Sequence, residues 1–201
     1  IDTVPAAFDA WAATRNAAVP NGYDWETDGG DTGWDAVGKT GLGGLATSDD
    51  GQFVYVMNLG DRRLYVIPVN ADGTPNTANI RGFSLPVVAG VADQNTVRPF
   101  AVEYNQGLVY IGLVNSAQGG TASALRGYVY SFDPNTNAFS ANSVATDGTT
   151  FNGIINGFRL DYERGTSYGG EDEFRPWSAT IQTQPTGGGT GLTVDAPFSM
   201  K

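Results

Sequence analysis

The stretch from Gly41 to Val69, GLGGLATSDDGQFVYVMNLGDRRLYVIPV, decides the fold. Short runs of β-branched and aromatic residues alternate in it with turns rich in Asp, Asn and Gly. An Asp-Gly pair between such runs favours a hairpin, because Gly adopts positive φ without a steric penalty. The pattern therefore predicts three antiparallel strands joined by two tight turns: Leu45–Thr47, Phe53–Met57 and Leu64–Val69.

The same pattern returns after Arg98 as RPFAVEYNQGLVYIGLV, and GYVYSFD follows from Gly127. Four-stranded antiparallel units repeated every 55–65 residues or so are typical of β-propellers, whose blades bury their faces by stacking. We expect an all-β, propeller-like fold of four-stranded antiparallel blades, in which residues 41–96 and 97–150 form two blades of a partial propeller. A generic β-sandwich with an accidental internal similarity is the alternative. The aligned tyrosines are Tyr55 with Tyr110 and Tyr65 with Tyr130.

The remaining segments complete a single predicted domain over residues 1–201. Residues 1–40 hold one short helix, Pro5–Asn16, and an acidic Gly-rich loop. Ile80–Val88 supplies a fourth strand, which Pro86 places at an edge because proline cannot donate to a ladder. Residues 151–190 have no strand rhythm and are expected to be an insertion loop, and residues 191–201 resemble the start of a further blade. We expect the chain to be a processed or incomplete piece of a larger protein.

Composition excludes several classes of function. The chain has 201 residues and a net charge of −10, so it repels phosphate backbones, and we expect no nucleic acid partner. It contains neither Cys nor His, which excludes disulfides, thiol chemistry, His-based acid–base catalysis and the usual zinc, copper and haem ligand sets. No apolar run is long enough to span a membrane. Calcium, which prefers oxygen ligands, is the one metal to consider.

An acidic loop supplies the candidate metal site. Asp24, Glu26, Asp28 and Asp35 occupy positions 1, 3, 5 and 12 of a calcium-loop pattern, and Gly29 occupies position 6. Carboxylates at alternating positions can converge on one hard cation, and the glycine permits the sharp turn. These four residues are therefore the predicted calcium ligands, with a solvated acidic loop as the alternative.

Three further groups of residues are weaker candidates. Trp34 and Trp177 lie in loops and are predicted to bind ligand by stacking on sugar rings, although aromatic side chains under long loops more often plug the core. The carboxylates between Asp161 and Glu173 could act as a glycosidase pair, but a solvated loop is the simpler interpretation. The turn Asp61–Arg63 is expected to pair its arginines with nearby acids, with a ligand-binding role as the alternative.

The chain also resembles a known group of proteins. Its stretches GLGGLATSDDGQFVYVMNLGDRRLYVI, RPFAVEYNQGLVYIGLV and YVYSFDP resemble the propeller-like regions of large bacterial cell-surface proteins that carry serine–aspartate-repeat-type B domains. The matching landmarks are Asp49–Gly51, Asn58-Leu59, Asp61–Tyr65 and Arg98–Phe100. The resemblance implies a secreted or surface-anchored scaffold and supplies no catalytic residues. Over a shorter span, DGQFVYVMN is similar to the YVTN-type repeat of surface-layer and lactonase-like propellers.

These observations lead to one principal hypothesis and two alternatives. We expect a non-catalytic structural or adhesion module that is extracellular or on a bacterial cell surface. Its expected partners are other blades or domains of the same larger protein, other surface proteins, or glycans. The alternatives are a calcium-dependent hydrolase or lactonase-like propeller and a carbohydrate-binding module.

Overall fold

The computed structural model describes residues 38–160, and its first sheet is built by the stretch that opens the repeat. Each of its four strands is antiparallel to the next in chain order: β1 (Leu42–Thr47), β2 (Phe53–Asn58), β3 (Arg63–Pro68) and β4 (Arg81–Ser84). The two hairpins expected between Leu45 and Val69 are confirmed. β4 pairs with β3 alone, and Pro86 follows its end, where no ladder hydrogen bond is lost.

Polar side chains close both turns of this sheet. In the first turn, Ser48 Oγ donates to Asp50 Oδ1 at 2.6 Å and accepts from the Phe53 N–H at 3.0 Å. Gly51 follows with a φ of 70°, a left-handed conformation that glycine adopts at no steric cost. The second turn places Arg62 at a φ of 56°, a strained conformation for a side chain of this size. That strain marks Arg62 as a residue held by specific contacts.

The second sheet repeats this meander from Val97 onward. β6 lies between β5 and β7, and the outer edge of β7 pairs with β8 near one end and with β11 near the other. A separate small hairpin consists of β9 and β10. The strands are β5 (Val97–Asn105), β6 (Leu108–Asn115), β7 (Arg126–Asp133), β8 (Ala138–Phe139), β9 (Thr150–Phe151), β10 (Ile154–Ile155) and β11 (Phe158–Arg159).

The outer edge of β7 is covered by broken segments instead of one continuous fourth strand. After β8, the N–H groups of Ser140 and Val144 still donate to β7 carbonyls, at 2.8 and 2.7 Å respectively. β10 and β11 fall where sequence analysis expected an insertion loop without strands. Strands of two residues are too short to show a period of two, so the pattern could not reveal them.

The two sheets pack face to face over one hydrophobic core. Alternate residues of β6 are buried from Val109 to Asn115, as a strand with one face on a core requires. Phe83 of the first sheet contacts Phe132 of the second, with ring centroids 4.8 Å apart. The largest fully buried side chains come from both sheets: Tyr55, Tyr128, Tyr130, Phe132, Met57, Leu64, Ile111 and Leu113.

Strands β1 and β5 lie side by side and run in the same direction. A Cβ added to Gly43 would lie 2.7 Å from the Phe100 carbonyl oxygen, and one added to Gly44 would lie 3.0 Å from the Ala101 carbonyl carbon. The contact thus advances along both strands together. If a two-fold axis related the two sheets, one of two arrangements would result. Either β1 and β5, the first strands of the two sheets, would run antiparallel, or the first strand of each sheet would lie over the fourth strand of the other. The two sheets are therefore stacked head to tail.

The aligned tyrosines agree with this head-to-tail stack. Tyr55 points from the first sheet into the core and is 1% exposed, whereas Tyr110 lies half-buried on the opposite face of the second sheet. We call the face of each sheet that is turned away from the other described sheet its free face. Tyr65 lies on the free face of the first sheet, and Tyr130 points from the second sheet into the core. Each aligned pair therefore points the same way along the stack, as in successive repeats of one unit.

The all-β prediction is confirmed, because antiparallel sheet dominates residues 38–160. Helical structure in this range is limited to short 3-10 turns: Thr77–Asn79, Gln94–Thr96 and Ala122–Ala124. The four-stranded first sheet fits a partial propeller, and residues 38–160 form no closed ring of blades. The predicted helix Pro5–Asn16 and the further blade expected from residue 191 lie outside the described residues, so they stay predictions.

Candidate functional site

The predicted metal-binding and sugar-stacking residues lie outside residues 38–160. They are the calcium ligands Asp24, Glu26, Asp28 and Asp35 and the aromatic residues Trp34 and Trp177. The acidic cluster from Asp161 to Glu173 begins just after the last described residue. Within residues 38–160, no three acidic side chains converge as a metal-ligating group. The calcium site and the sugar-stacking role therefore stay predictions.

Negative charge is concentrated outside the two described sheets. Residues 38–160 contain seven Lys and Arg residues and eight Asp and Glu residues, a net charge of −1, out of −10 for the whole chain. The other 78 residues therefore carry a net charge of −9. The acidity that characterises the sequence belongs to its two flanking segments, and the sheets themselves are close to neutral.

Four described carboxylates hold turns together. Asp50, Asp72, Asp133 and Asp147 each accept a hydrogen bond from the backbone N–H two residues later, at 2.8 to 3.0 Å. These bonds, with those from neighbouring hydroxyl groups, hold the pKa of all four carboxyl groups below its ordinary value. A general acid needs the opposite shift, so these carboxylates are suited to structure.

A cavity of about 310 Å³ lies at one end of the first sheet. We call it the end cavity. The turn Asp61–Arg63 forms one wall, the extended segment Ser84–Val87 forms the other, and Gln94 and Val97 close it from the connection to the second sheet. The lining of the end cavity combines charged, polar and apolar side chains.

Arg62 connects this turn to the second sheet. Its Nη1 donates to the carbonyl oxygen of Gln94 at 2.6 Å and to that of Val97 at 3.5 Å. Its Nη2 donates to Asn95 Oδ1 at 3.4 Å. Sequence analysis expected an acid as the partner of Arg62, and the structure shows carbonyl groups instead. These bonds account for the positive φ of Arg62, because they hold the guanidinium over the segment that leads into β5.

Gln94 fixes the same connection from the other side. Its side-chain amide accepts from the Val88 N–H at 2.9 Å and donates to the Val91 carbonyl at 2.6 Å. Asp61 is held separately, because Tyr65 Oη donates a short hydrogen bond to its carboxylate. This hydrogen bond, followed by burial, raises the pKa of Tyr65. The walls of the end cavity are thus held by side-chain bonds and are not simple loops.

Buried polar groups cluster at the start of β7. Arg126 is 2% exposed, and both of its Nη atoms donate to Thr149 Oγ1 at 3.1 Å. Thr149 in turn donates to Asp147 Oδ1 at 2.5 Å, so the buried cation reaches a carboxylate through one hydroxyl. The Phe151 ring lies 5.0 Å from the Arg126 guanidinium carbon. Sequence analysis missed this cluster, because Arg126 lies 21 to 25 residues before the other members and they follow no motif.

Tyr128 follows Arg126 on the same face of β7. It is 1% exposed, and its hydroxyl has no hydrogen-bond partner. Burial raises the pKa of Tyr128 to about 12, since the phenolate form loses its hydration there. The hydroxyl of Tyr130, by contrast, accepts from Asn156 Nδ2 at 3.3 Å. These two neighbouring tyrosines therefore differ sharply in how well their polar groups are satisfied.

Comparison with known proteins assigns neither a family nor a function. No protein-family model matches the chain, and neither the curated proteins nor the solved structures contain a match. Within residues 38–160, no helical segment has the length and hydropathy that a membrane crossing needs. The functional argument therefore rests on the residues and their geometry.

Proposed function

We propose that this chain is a non-catalytic structural or adhesion module of an extracellular or bacterial cell-surface protein. In this proposal its two sheets are consecutive blades of a propeller-like stack. The observation that carries it is the parallel contact of β1 with β5, which makes the stack head to tail. A head-to-tail contact does not close on itself, so it repeats until a ring closes or the repeats end.

The free faces of the two sheets support this proposal. In the aligned repeats, Tyr55 corresponds to Tyr110. The face of the first sheet that packs on the second sheet therefore corresponds to the free face of the second sheet. The free face of the first sheet, which carries Tyr65, is likewise equivalent to the face that the second sheet buries. A further blade of the same kind therefore fits on either side. Other blades of a larger protein are the proposed partners.

Two features favour a scaffold over an enzyme. The whole sequence lacks His and Cys, the side chains that most often supply acid–base and nucleophilic chemistry near neutral pH. The shifted carboxyl groups in residues 38–160 are used by turns, and their pKa values are lowered. The surface location follows from the resemblance to bacterial cell-surface propellers described above.

Substitution on the free face of the second sheet tests the proposed stacking. Tyr110→Arg places a charge at the centre of this face, and Ala71→Arg places the same charge in an exposed turn of the first sheet, away from the face. If a further blade covers the face in the full chain, Tyr110→Arg lowers the free energy of unfolding by about 2 kcal/mol or more, and Ala71→Arg changes it far less. Equal tolerance of both changes would remove the stacked-blade proposal.

The non-catalytic part of the proposal needs a separate assay. The purified full chain is incubated with chromogenic glycosides and with lactones, in the presence and absence of added calcium. We expect no turnover above buffer under either condition. Turnover that co-purifies with the protein and is lost on Asp24→Asn would refute the scaffold assignment and support the calcium-dependent hydrolase.

A further inference from the structure

The end cavity combines an exposed cation with an exposed apolar wall. The side chain of Arg63 lines the cavity, is exposed and shares a hydrogen bond with the Tyr65 hydroxyl, and within residues 38–160 it forms no ion pair. Arg62 donates to the carbonyl groups of Gln94 and Val97, and Asp61 accepts from the Tyr65 hydroxyl. The remaining N–H groups of Arg63 are the cationic donors that this cavity offers to an incoming ligand.

The opposite wall is apolar and stiff. Val87 is 76% exposed, which is unusual for a valine, and Leu85 and Pro86 stand beside it. Pro86 has a fixed φ and restricts the backbone of Leu85 before it, so the wall loses little conformational entropy when a ligand docks. Val87 makes no backbone–backbone hydrogen bond to another described residue. A peptide that lies along this segment can pair with these backbone groups.

Size and charge together define the class of ligand. A volume of about 310 Å³ is at the lower end for ligand pockets, and it suits one or two amino-acid residues. Guanidinium groups bind carboxylates with two parallel hydrogen bonds, and an adjacent apolar surface receives a side chain of the same ligand. Capture of a peptide C-terminus combines these two elements.

We propose that the end cavity binds the C-terminal carboxylate of a peptide that ends in an apolar residue. Arg63 holds the carboxylate, and the last side chain packs on Pro86 and Val87. The peptide backbone lies along the exposed segment Ser84–Val87. This site does not depend on the scaffold role proposed above, since it uses the first sheet and its connection alone.

The test compares one short peptide with its amide. The probe is N-acetyl-Ala-Val-Leu as the free acid, titrated into the full chain and followed by isothermal calorimetry and by amide chemical shifts. We expect saturable binding that weakens about tenfold or more when the carboxylate is amidated and that also weakens as salt is added. Equal binding of acid and amide would overturn the proposal, as would no binding of either.

Variants assign the contact to the end cavity. Arg63→Gln removes the guanidinium at an exposed position, and Arg159→Gln is the matched control, because it removes an exposed arginine on the other sheet. We expect about a tenfold loss of affinity for the first and no change for the second. Val87→Asp places a repelling charge on the apolar wall and should abolish binding. Binding that survives both Arg63→Gln and Val87→Asp in folded protein would refute the assignment.

Discussion

Gly43→Ala tests the close contact between β1 and β5. Gly43 has no left-handed φ, so its backbone accepts alanine, and this change in a strand normally stabilises by about 0.5–1 kcal/mol. Here the new Cβ would lie 2.7 Å from the Phe100 carbonyl oxygen and 2.9 Å from Leu59 Cδ2. Ordinary contacts between carbon and oxygen begin near ~3.3 Å. The two strands must therefore separate by about 0.6 Å.

This separation acts on the whole interface, because the obstructing atom is backbone. A gap of roughly 0.5–1 Å forfeits a quarter to a half of the dispersion energy of the contacts across it. Overpacking that shifts backbone costs about 1–3 kcal/mol, and the usual gain from alanine is lost. We expect Gly43→Ala to lower the free energy of unfolding by about 2–3 kcal/mol, which corresponds to a fall in Tm of roughly 4–12 °C.

Urea unfolding followed by circular dichroism measures this change. Thr47→Ala is the control, because it alters an exposed side chain of the same strand and should stay within about 0.5 kcal/mol of the parent. Gly44→Ala, whose Cβ would overlap β5 backbone more severely, should cost at least as much as Gly43→Ala. If either glycine variant is as stable as the Thr47→Ala protein, β1 does not contact β5 as described.

Three other outcomes follow from the described side chains. Arg62→Met removes hydrogen bonds to two carbonyl groups and should cost about 2 kcal/mol in urea unfolding; an unchanged midpoint would show that this link between the sheets contributes nothing. Thr149→Val strands the buried guanidinium of Arg126 and should cost about 2–3 kcal/mol, whereas loss of less than 0.5 kcal/mol or so would mean that water replaces the hydroxyl. Burial raises the pKa of Tyr128 to about 12, so the stability contributed by its neutral form is complete below pH 10 and is lost as the pH rises towards 12. Tyr128→Phe removes a buried hydroxyl that has no hydrogen-bond partner, so it should raise the free energy of unfolding by up to about 1 kcal/mol at pH 7. Because phenylalanine does not ionise, the alkaline decline in stability should also become shallower, and unfolding curves at several pH values would verify or contradict both effects.

Local pattern was sufficient to predict the first sheet. Asp50-Gly51 and the runs beside it specify a hairpin within a few residues, and β2 and β3 begin and end within one residue of the predicted bounds. The internal repeat also placed β5 to β8 in the right order, because aligned runs imply the same meander. Interactions between near neighbours in the chain determine these features, so they can be predicted from a single sequence.

Features that depend on distant contacts were not predictable in the same way. Arg62 sits in a turn that looks solvated, and nothing local indicates that carbonyl groups 32 and 35 residues later are its partners. The burial of Arg126 likewise depends on a hairpin that begins more than 20 residues later in the chain. The end cavity is formed by three segments that are separate in the sequence, and no sequence motif indicates that they come together. The calcium ligands predicted around Asp24 lie outside residues 38–160, so they stay a prediction.

The direction of β1 relative to β5 is the most direct test of the head-to-tail stack. Since the chain has no cysteine, spin labels can be attached at introduced cysteines without a competing thiol. Two double variants are compared: Thr47→Cys with Asn105→Cys, and Thr47→Cys with Asn95→Cys. Thr47 and Asn105 end their strands, and Asn95 lies just before the start of β5. In the head-to-tail stack the Thr47–Asn105 distance is the shorter one, by roughly 20 Å or more, given the rise of a nine-residue strand. The reverse order of the two distances, measured by electron paramagnetic resonance on the full chain, would contradict the stack and the scaffold role built on it.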